Sequence, residues 1–202
     1  KLNRLALEGG FCFNPDFEDQ TSASLKEAAN TGENYGEAFY LKNYHFESFD
    51  LSHQIFPGLN LNHNFTYIGV SREEQVDWSN LNAFSIGINQ FQYFINPHFL
   101  LGKKLYVSPS LNIIWGKSDL WLGGLKTSSE KYFYSSPLTY SDLIFSTSFW
   151  LHAGSFSPGA EFNFANISDE KFIQVSAWCT WYPFSNANFY LTPRVYFRND
   201  SE

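Results

Sequence analysis

Sulfur, charge and long apolar runs are all scarce in this sequence. The 202 residues include no Met and two Cys, and only 16% of them are charged. No apolar run reaches the roughly 18 residues that a transmembrane helix needs. The first residues, 1–14, lack the basic and then apolar layout of a signal peptide, so we expect a processed chain or a fragment. The scarcities argue against a helical membrane protein and against a disulfide framework.

The sign of the charge and the aromatic content exclude two further classes. The chain has 13 basic and 20 acidic residues, which gives a formal net charge of −7. This negative charge argues against binding to nucleic acid, whose phosphates attract basic surfaces. Aromatic residues reach 20% of the chain, far too many for a disordered segment. The two cysteines, Cys12 and Cys179, have no neighbours at metal-ligand spacing, and no phosphate-binding glycine loop is present. We therefore expect no metal and no cofactor.

Apolar and polar residues alternate with a period of two along most of the chain, which is typical of β-strands. The clearest case runs from Leu105 to Trp115. The parity of the apolar positions changes near Asn89 and Gln90, which predicts a β-bulge there. We expect one domain over residues 1–202, with long loops at about 14–36 and 117–140.

The charged residues avoid long parts of the chain, which distinguishes a membrane barrel from a soluble one. Five stretches contain no Asp, Glu, Lys or Arg: 59–70, 81–102, 105–116, 143–160 and 172–193. A soluble sheet usually carries Lys and Glu on its exposed face. An arginine or lysine facing the middle of a bilayer costs about 2–4 kcal/mol, so a lipid-facing surface explains their exclusion.

The predicted fold is all-β: an antiparallel up-and-down transmembrane β-barrel of about ten strands, within a range of about 8–12. The alternation separates nine strand segments, whereas single-chain bacterial barrels usually have an even number. Either the chain lacks a closing strand or the 117–140 region holds further strand, as a protruding hairpin. Trp and Tyr near the predicted strand ends suit the headgroup zones of a bilayer.

Tight turns and aromatic strands give the chain a family resemblance. Phe56-Pro57-Gly58 and the segment 182–186 read as short turns, and the run from Trp181 to Tyr196 combines a turn with an aromatic strand. In these features the sequence resembles outer-membrane β-barrel proteins of Gram-negative bacteria, and it is similar to barrels of unassigned activity in Bacteroidota. The resemblance implies a location in the bacterial outer membrane and implies no site residues.

The alternation also predicts which residues meet lipid, the first expected partner of the chain. The apolar positions of the clearest strands are assigned to the lipid-facing side: Leu105, Val107, Leu111, Ile113, Phe149, Leu151, Val175 and Leu191. Uncharged polar residues alternate with them and are assigned to a lumen.

Six residues are predicted to be polar, lumen-side candidates. Arg194 and Arg198 lie four residues apart on the polar face of the last strand, with Tyr190 and Tyr196 beside them, and could hold an anion or pair with Glu161. His45 and Glu47 lie two residues apart and read as a polar pair in the lumen, or as a base and its orienting group. We expect no catalytic residue.

The leading functional interpretation is a structural or accessory barrel, with no enzymatic activity, that docks to a larger outer-membrane secretion or uptake complex. The first alternative is a narrow porin-like channel for small solutes, in which Arg194 and Arg198 give a slight anion preference. A lipid-modifying enzyme that uses His45, Glu47 or His152 is a further alternative. The last is a soluble barrel that binds an apolar ligand.

Overall fold

A computed structural model of the chain describes residues 1–21, 36–77, 81–125, 131–168, 170–184 and 188–201. Most of these residues belong to nine β-strands. In chain order the strands are β1 (Leu2–Phe13), β2 (Gly36–Phe56), β3 (Leu59–Asp77), β4 (Leu81–Leu101), β5 (Leu105–Leu125), β6 (Lys131–Leu151), β7 (Phe156–Ile167), β8 (Glu170–Trp181) and β9 (Arg194–Ser201).

The nine strands form one antiparallel sheet in which each strand pairs with its neighbours in the chain. The order β1 to β9 is an up-and-down meander, so the predicted fold class is confirmed, and nine strands fall within the expected range. Within the described residues, β1 and β9 are the two end strands of the sheet. None of the helical residues described builds a helix with the length and apolar character needed to cross a bilayer.

The strands β2 to β6 are much longer than a bilayer requires. A transmembrane strand needs about 9–11 residues, whereas β5 has 21. Strands β5 and β6 pair along their whole lengths, so most of the region predicted as a loop at 117–140 is a protruding hairpin. Residues 126–130 of this region, and most of the loop predicted at 14–36, lie outside the described residues, although a helical turn covers 17–21.

The bulge predicted near Asn89 and Gln90 is wrong. Asn89 pairs with Gly69 and Gln90 with Ile68, in a register that continues unbroken along β3 and β4. The parity of the apolar residues changes because the face that is polar in the middle of the sheet becomes apolar toward one end. We call this end, at which β5 ends and β6 begins, the long-loop end. Irregular pairing occurs in β2 instead, between Leu41 and Asn43 and near its other end.

The final strand begins later than the sequence predicts. The pattern indicates a strand from about residue 187, but β9 starts at Arg194. Before it, Leu191 makes an isolated bridge to Trp181, with backbone hydrogen bonds of 2.8 and 3.1 Å. Pro193 has no amide hydrogen to donate, although its carbonyl accepts a bond from Cys179. The ladder therefore becomes regular only after the proline.

The sheet has two chemically different faces. Cross-strand pairing joins Leu7, Phe49, Phe65, Tyr93, Ile113 and Leu143 into one row on the side that we call the apolar face. The other side, the polar face, carries residues such as Ser48, Asn64, Asn96, Ser110 and Ser176.

Exposure on the two faces is the reverse of that in a soluble protein. The side chain of Leu7 is 78% exposed and that of Phe197 is 72% exposed, whereas Ser176 is fully buried. Val76, Ile86 and Ala165 are the buried apolar residues of the described part of the chain. A fold that is stable in water buries its large apolar side chains instead. This arrangement is the opposite of what a soluble barrel with a dry apolar centre requires.

Candidate functional site

A network of uncharged and acidic side chains crosses the polar face between β2 and β3. Asn64 donates from its amide to the Ser48 hydroxyl at 2.8 Å and to the Asp50 carboxylate at 2.9 Å. The Thr66 hydroxyl in turn donates to the amide oxygen of Asn64 at 2.8 Å. These groups are only half-buried, so they remain partly accessible to water.

A second group of polar contacts on this face joins β4 to β5 through Asn96. Its amide nitrogen lies 2.8 Å from the Ser108 hydroxyl and 2.7 Å from the carbonyl oxygen of Pro109. Pro97 and Pro109 cannot donate to the backbone ladder. The Asn96 side chain therefore supplies a hydrogen bond where prolines interrupt the strands.

Arg194 anchors the polar face at the other end of the sheet. Its guanidinium group donates to Glu161 at 3.0 Å and, through two nitrogens, to the Ser176 hydroxyl at 3.0 and 3.3 Å. It also lies over the rings of Trp178, at 4.6 Å, and Tyr196, at 5.1 Å. Because the ion pair is about one third exposed, we expect it to contribute less than a buried pair would.

The arginine and tyrosine candidates separate into two groups. Arg194, Tyr196 and Arg198 follow one another at alternate positions of β9 on the polar face. Arg198 lies over the ring of Phe172 at 4.3 Å rather than beside Arg194 at a shared site. Tyr190 precedes β9, and its ring contacts that of Tyr182 at 5.9 Å.

The predicted positions of His45 and Glu47 need correction, because the register places both on the apolar face. His45 pairs with Gly69, and Glu47 pairs with Tyr67 in the row next to Phe49. His45 packs against the ring of Tyr67 at 5.6 Å, so it does not meet the polar network. The shift in pairing at Leu41 and Asn43 lies just before this part of β2.

The eight residues predicted to meet lipid all lie on the apolar face. Leu105 pairs with Leu151 and Val107 with Phe149. The remaining four occupy the same side through their own partners: Leu111, Ile113, Val175 and Leu191.

Aromatic side chains border this face near the long-loop end. The rings of Tyr67 and Phe91 lie 4.9 Å apart, and Phe91 and Trp115 lie 5.9 Å apart. The next row carries Asn89 and Lys117, and Glu47 pairs with Tyr67 in the aromatic row itself, so charged residues return at this border. From Leu105 to Trp115 the apolar face spans eleven residues of β5, the length of a transmembrane strand.

Two contributors to the Arg194 cluster were missed by the reasoning from sequence. Ser176 and Trp178 lie on β8, on the polar side of the alternation, and each meets Arg194 across the β8–β9 pairing. Both residues alternate with the apolar positions Val175 and Ala177, so the alternation in the sequence was a signal that places them on the polar face. Within the described residues, no group of three or more His, Cys, Asp or Glu side chains is arranged to hold a metal ion.

The structure resembles solved outer-membrane proteins. The monoaromatic hydrocarbon channel CymD aligns with a TM-score of 0.49 and 7% identity, over 96% of this chain and 61% of that chain. The outer membrane transporter YddB from Escherichia coli aligns with a TM-score of 0.50 and 12% identity, over 81% of this chain and 29% of that chain. The translocator domain of the autotransporter NalP from Neisseria meningitidis gives a TM-score of 0.25 at 9% identity, over 90% of each chain.

The chain thus spans less than two thirds of the length of CymD and of YddB. The sequence matches no protein-family model and no curated protein. The likeness to YddB shows the fold, which is the antiparallel meander of outer-membrane β-barrels. The large apolar side chains of this chain are exposed on one face of the sheet, as they are on the outer surface of outer-membrane β-barrels.

Proposed function

We propose that this chain forms the wall of an outer-membrane channel for small polar solutes, with its polar face lining a hydrated path. The observation that carries the proposal is that Asn64, Thr66 and Asn96, on the polar face, are half-buried and so remain partly accessible to water. In a sealed small barrel, side chains fill the interior. We propose no catalytic activity for this chain. We also propose that it is related to outer-membrane barrels of Bacteroidota.

Arg194 and Arg198 are proposed to give this path a slight preference for anions. Glu161 neutralises much of the Arg194 charge at 3.0 Å, so the preference depends on the balance between the two groups. Removing the arginine charge leaves the glutamate as the local excess charge.

We therefore expect the purified chain to produce stepwise, ohmic conductance in planar bilayers. Arg194→Gln should move the reversal potential in a salt gradient toward cation preference, because Glu161 is then no longer neutralised. Lys103→Gln, which removes a positive charge from the exposed turn between β4 and β5, is the matched control and should leave the reversal potential unchanged. Heat-modifiable gel mobility verifies that each variant has folded. A folded chain that shows no conductance contradicts the channel.

An accessory role in a larger outer-membrane secretion or uptake complex is the second candidate. It is favoured by the protruding hairpin of β5 and β6, which continues for ten residues of β5 beyond Trp115. Apolar and aromatic side chains on this hairpin are 36–51% exposed: Leu120, Leu122, Tyr132, Tyr134 and Leu138. A surface of this kind suits a protein partner. Absence of conductance from folded protein would favour this role.

A further inference from the structure

A cavity of about 670 Å³ lies at the long-loop end, where strands that are not neighbours in the sheet approach one another. Phe39 of β2, Trp121 of β5 and Phe133 of β6 form part of its wall. The Trp121 ring stacks on Phe84 at 4.7 Å, which fixes one aromatic wall. The volume is in the range of sites for small organic ligands.

Three charged side chains, from β2 and β3, line the same cavity. Glu74 is 6% exposed and is hydrogen-bonded to Glu37. Burial raises the pKa of Glu74 above its ordinary value, and Glu37 raises it further, while Arg72 acts in the opposite direction. The two neighbouring carboxyl groups and one guanidinium group therefore give the cavity wall charged groups of both signs.

Arg72 retains an unused hydrogen-bond donor in this wall. Its guanidinium carbon lies 4.8 Å from the centre of the Phe39 ring, and its Nε is buried and has no hydrogen-bond partner in the described part of the chain. A buried donor without a partner is costly, so an acceptor supplied by a ligand would be favourable here. The carboxylate pair can accept hydrogen bonds from a ligand ammonium group.

We propose that this cavity binds a small zwitterion of the α-amino-acid class with an apolar side chain. The carboxylates of Glu37 and Glu74 hold the ammonium group, Arg72 holds the carboxylate, and the aromatic wall holds the side chain. Arg72 and Glu74 are two residues apart on one face of a strand, which places them about 7 Å apart and matches a ligand whose two charges are adjacent.

The cavity lies on the polar face, the face proposed to line the hydrated path, and it lies toward the end of β3, several residues beyond Tyr67. A binding measurement does not require conduction. Binding to the purified, detergent-solubilised chain can therefore be measured whether or not the chain conducts.

Calorimetric titration with three indole compounds tests the proposal. We expect L-tryptophan to bind at least tenfold more tightly than either of the other two compounds. Tryptamine lacks the carboxylate and indole-3-propionate lacks the ammonium group, and the loss of one charged hydrogen bond weakens binding by about this factor. Arg72→Gln should weaken L-tryptophan binding about tenfold and leave tryptamine unchanged. Glu74→Gln should weaken L-tryptophan and tryptamine but leave indole-3-propionate unchanged.

Glu73→Gln is the matched control, because Glu73 neighbours Glu74 in β3 but lies on the other face of the sheet. It should bind all three compounds like the wild-type chain. Glu37→Gln, at an exposed position, provides a second carboxylate variant if Glu74→Gln does not fold. The proposal is overturned if L-tryptophan binds no more tightly than the other two compounds, or if the Arg72 and carboxylate variants retain wild-type affinity for it.

Discussion

Ile113→Arg and Val175→Arg will each block assembly of the chain into the outer membrane. Ile113 lies on the apolar face between Tyr93 and Leu143, and the Val175 side chain is 43% exposed on the same face. An arginine that faces the middle of the bilayer costs about 2–4 kcal/mol. Folded proteins are typically stable by only about 5–15 kcal/mol, so this cost is a substantial part of the total.

Ser110→Arg is the control, because Ser110 lies on the polar face opposite Ser146. The longer side chain can reach water there, so we expect folded protein in the outer-membrane fraction. Fractionation and heat-modifiable mobility measure both results. Equal assembly of all three variants would contradict the assigned faces. Failure of Ser110→Arg alone would show that lipid meets the other face.

The second large effect concerns two glycines that lie opposite aromatic residues on the polar face. Gly116 pairs with Tyr140 and Gly159 pairs with Trp178. A methyl group at either glycine would overlap the facing ring. We expect Gly116→Ala and Gly159→Ala each to lower the free energy of unfolding by about 1–3 kcal/mol, as overpacking does. Urea titration in lipid vesicles measures the loss.

Compensating substitutions should distinguish the two glycines. At Gly159 the atoms nearest to an added Cβ belong to the Trp178 side chain, so Trp178→Leu should restore much of the stability of Gly159→Ala. At Gly116 the Cβ would also lie 2.9 Å from the backbone oxygen of Asn89. Shortening Tyr140 to Leu should therefore rescue Gly116→Ala far less.

Gly87→Ala is the control for both glycines. The nearest atom to its added Cβ is the Asp119 carboxylate oxygen at 3.4 Å, which is ordinary contact. We expect a change within about 0.5 kcal/mol. If all three glycine variants lose the same stability, the loss does not come from the facing rings, and the packing explanation would be wrong.

The middle of the sheet was predictable because alternation is a local property of a strand. Successive side chains point to opposite faces, so Leu111 and Ile113 had to share a face with each other and not with Ser110 or Asn112. The prediction failed at the long-loop end of β4. There the apolar residues Phe84, Ile86 and Ile88 lie on the otherwise polar face, so a reversal of polarity was interpreted as a bulge.

The pattern in β2 could not decide the placement of His45 and Glu47. Tyr44 and Phe46 lie on one face and Phe49 on the other, so aromatic residues mark neither face as the apolar one. Only the pairing with β3 assigns the faces. The cost of placing a polar residue therefore depends on a partner strand that the local pattern does not contain.

By itself the sequence determined the strand content, the up-and-down order and the apolar face of the best-defined strands, because a period of two and tight turns act over a few residues. The tertiary structure decided that Arg194 pairs with Glu161, which was one of two alternatives from the sequence, and it alone showed that Glu74 shares a cavity with Trp121. These contacts join strands that are not adjacent in the sheet, and so they depend on register and sheet curvature accumulated across several strands.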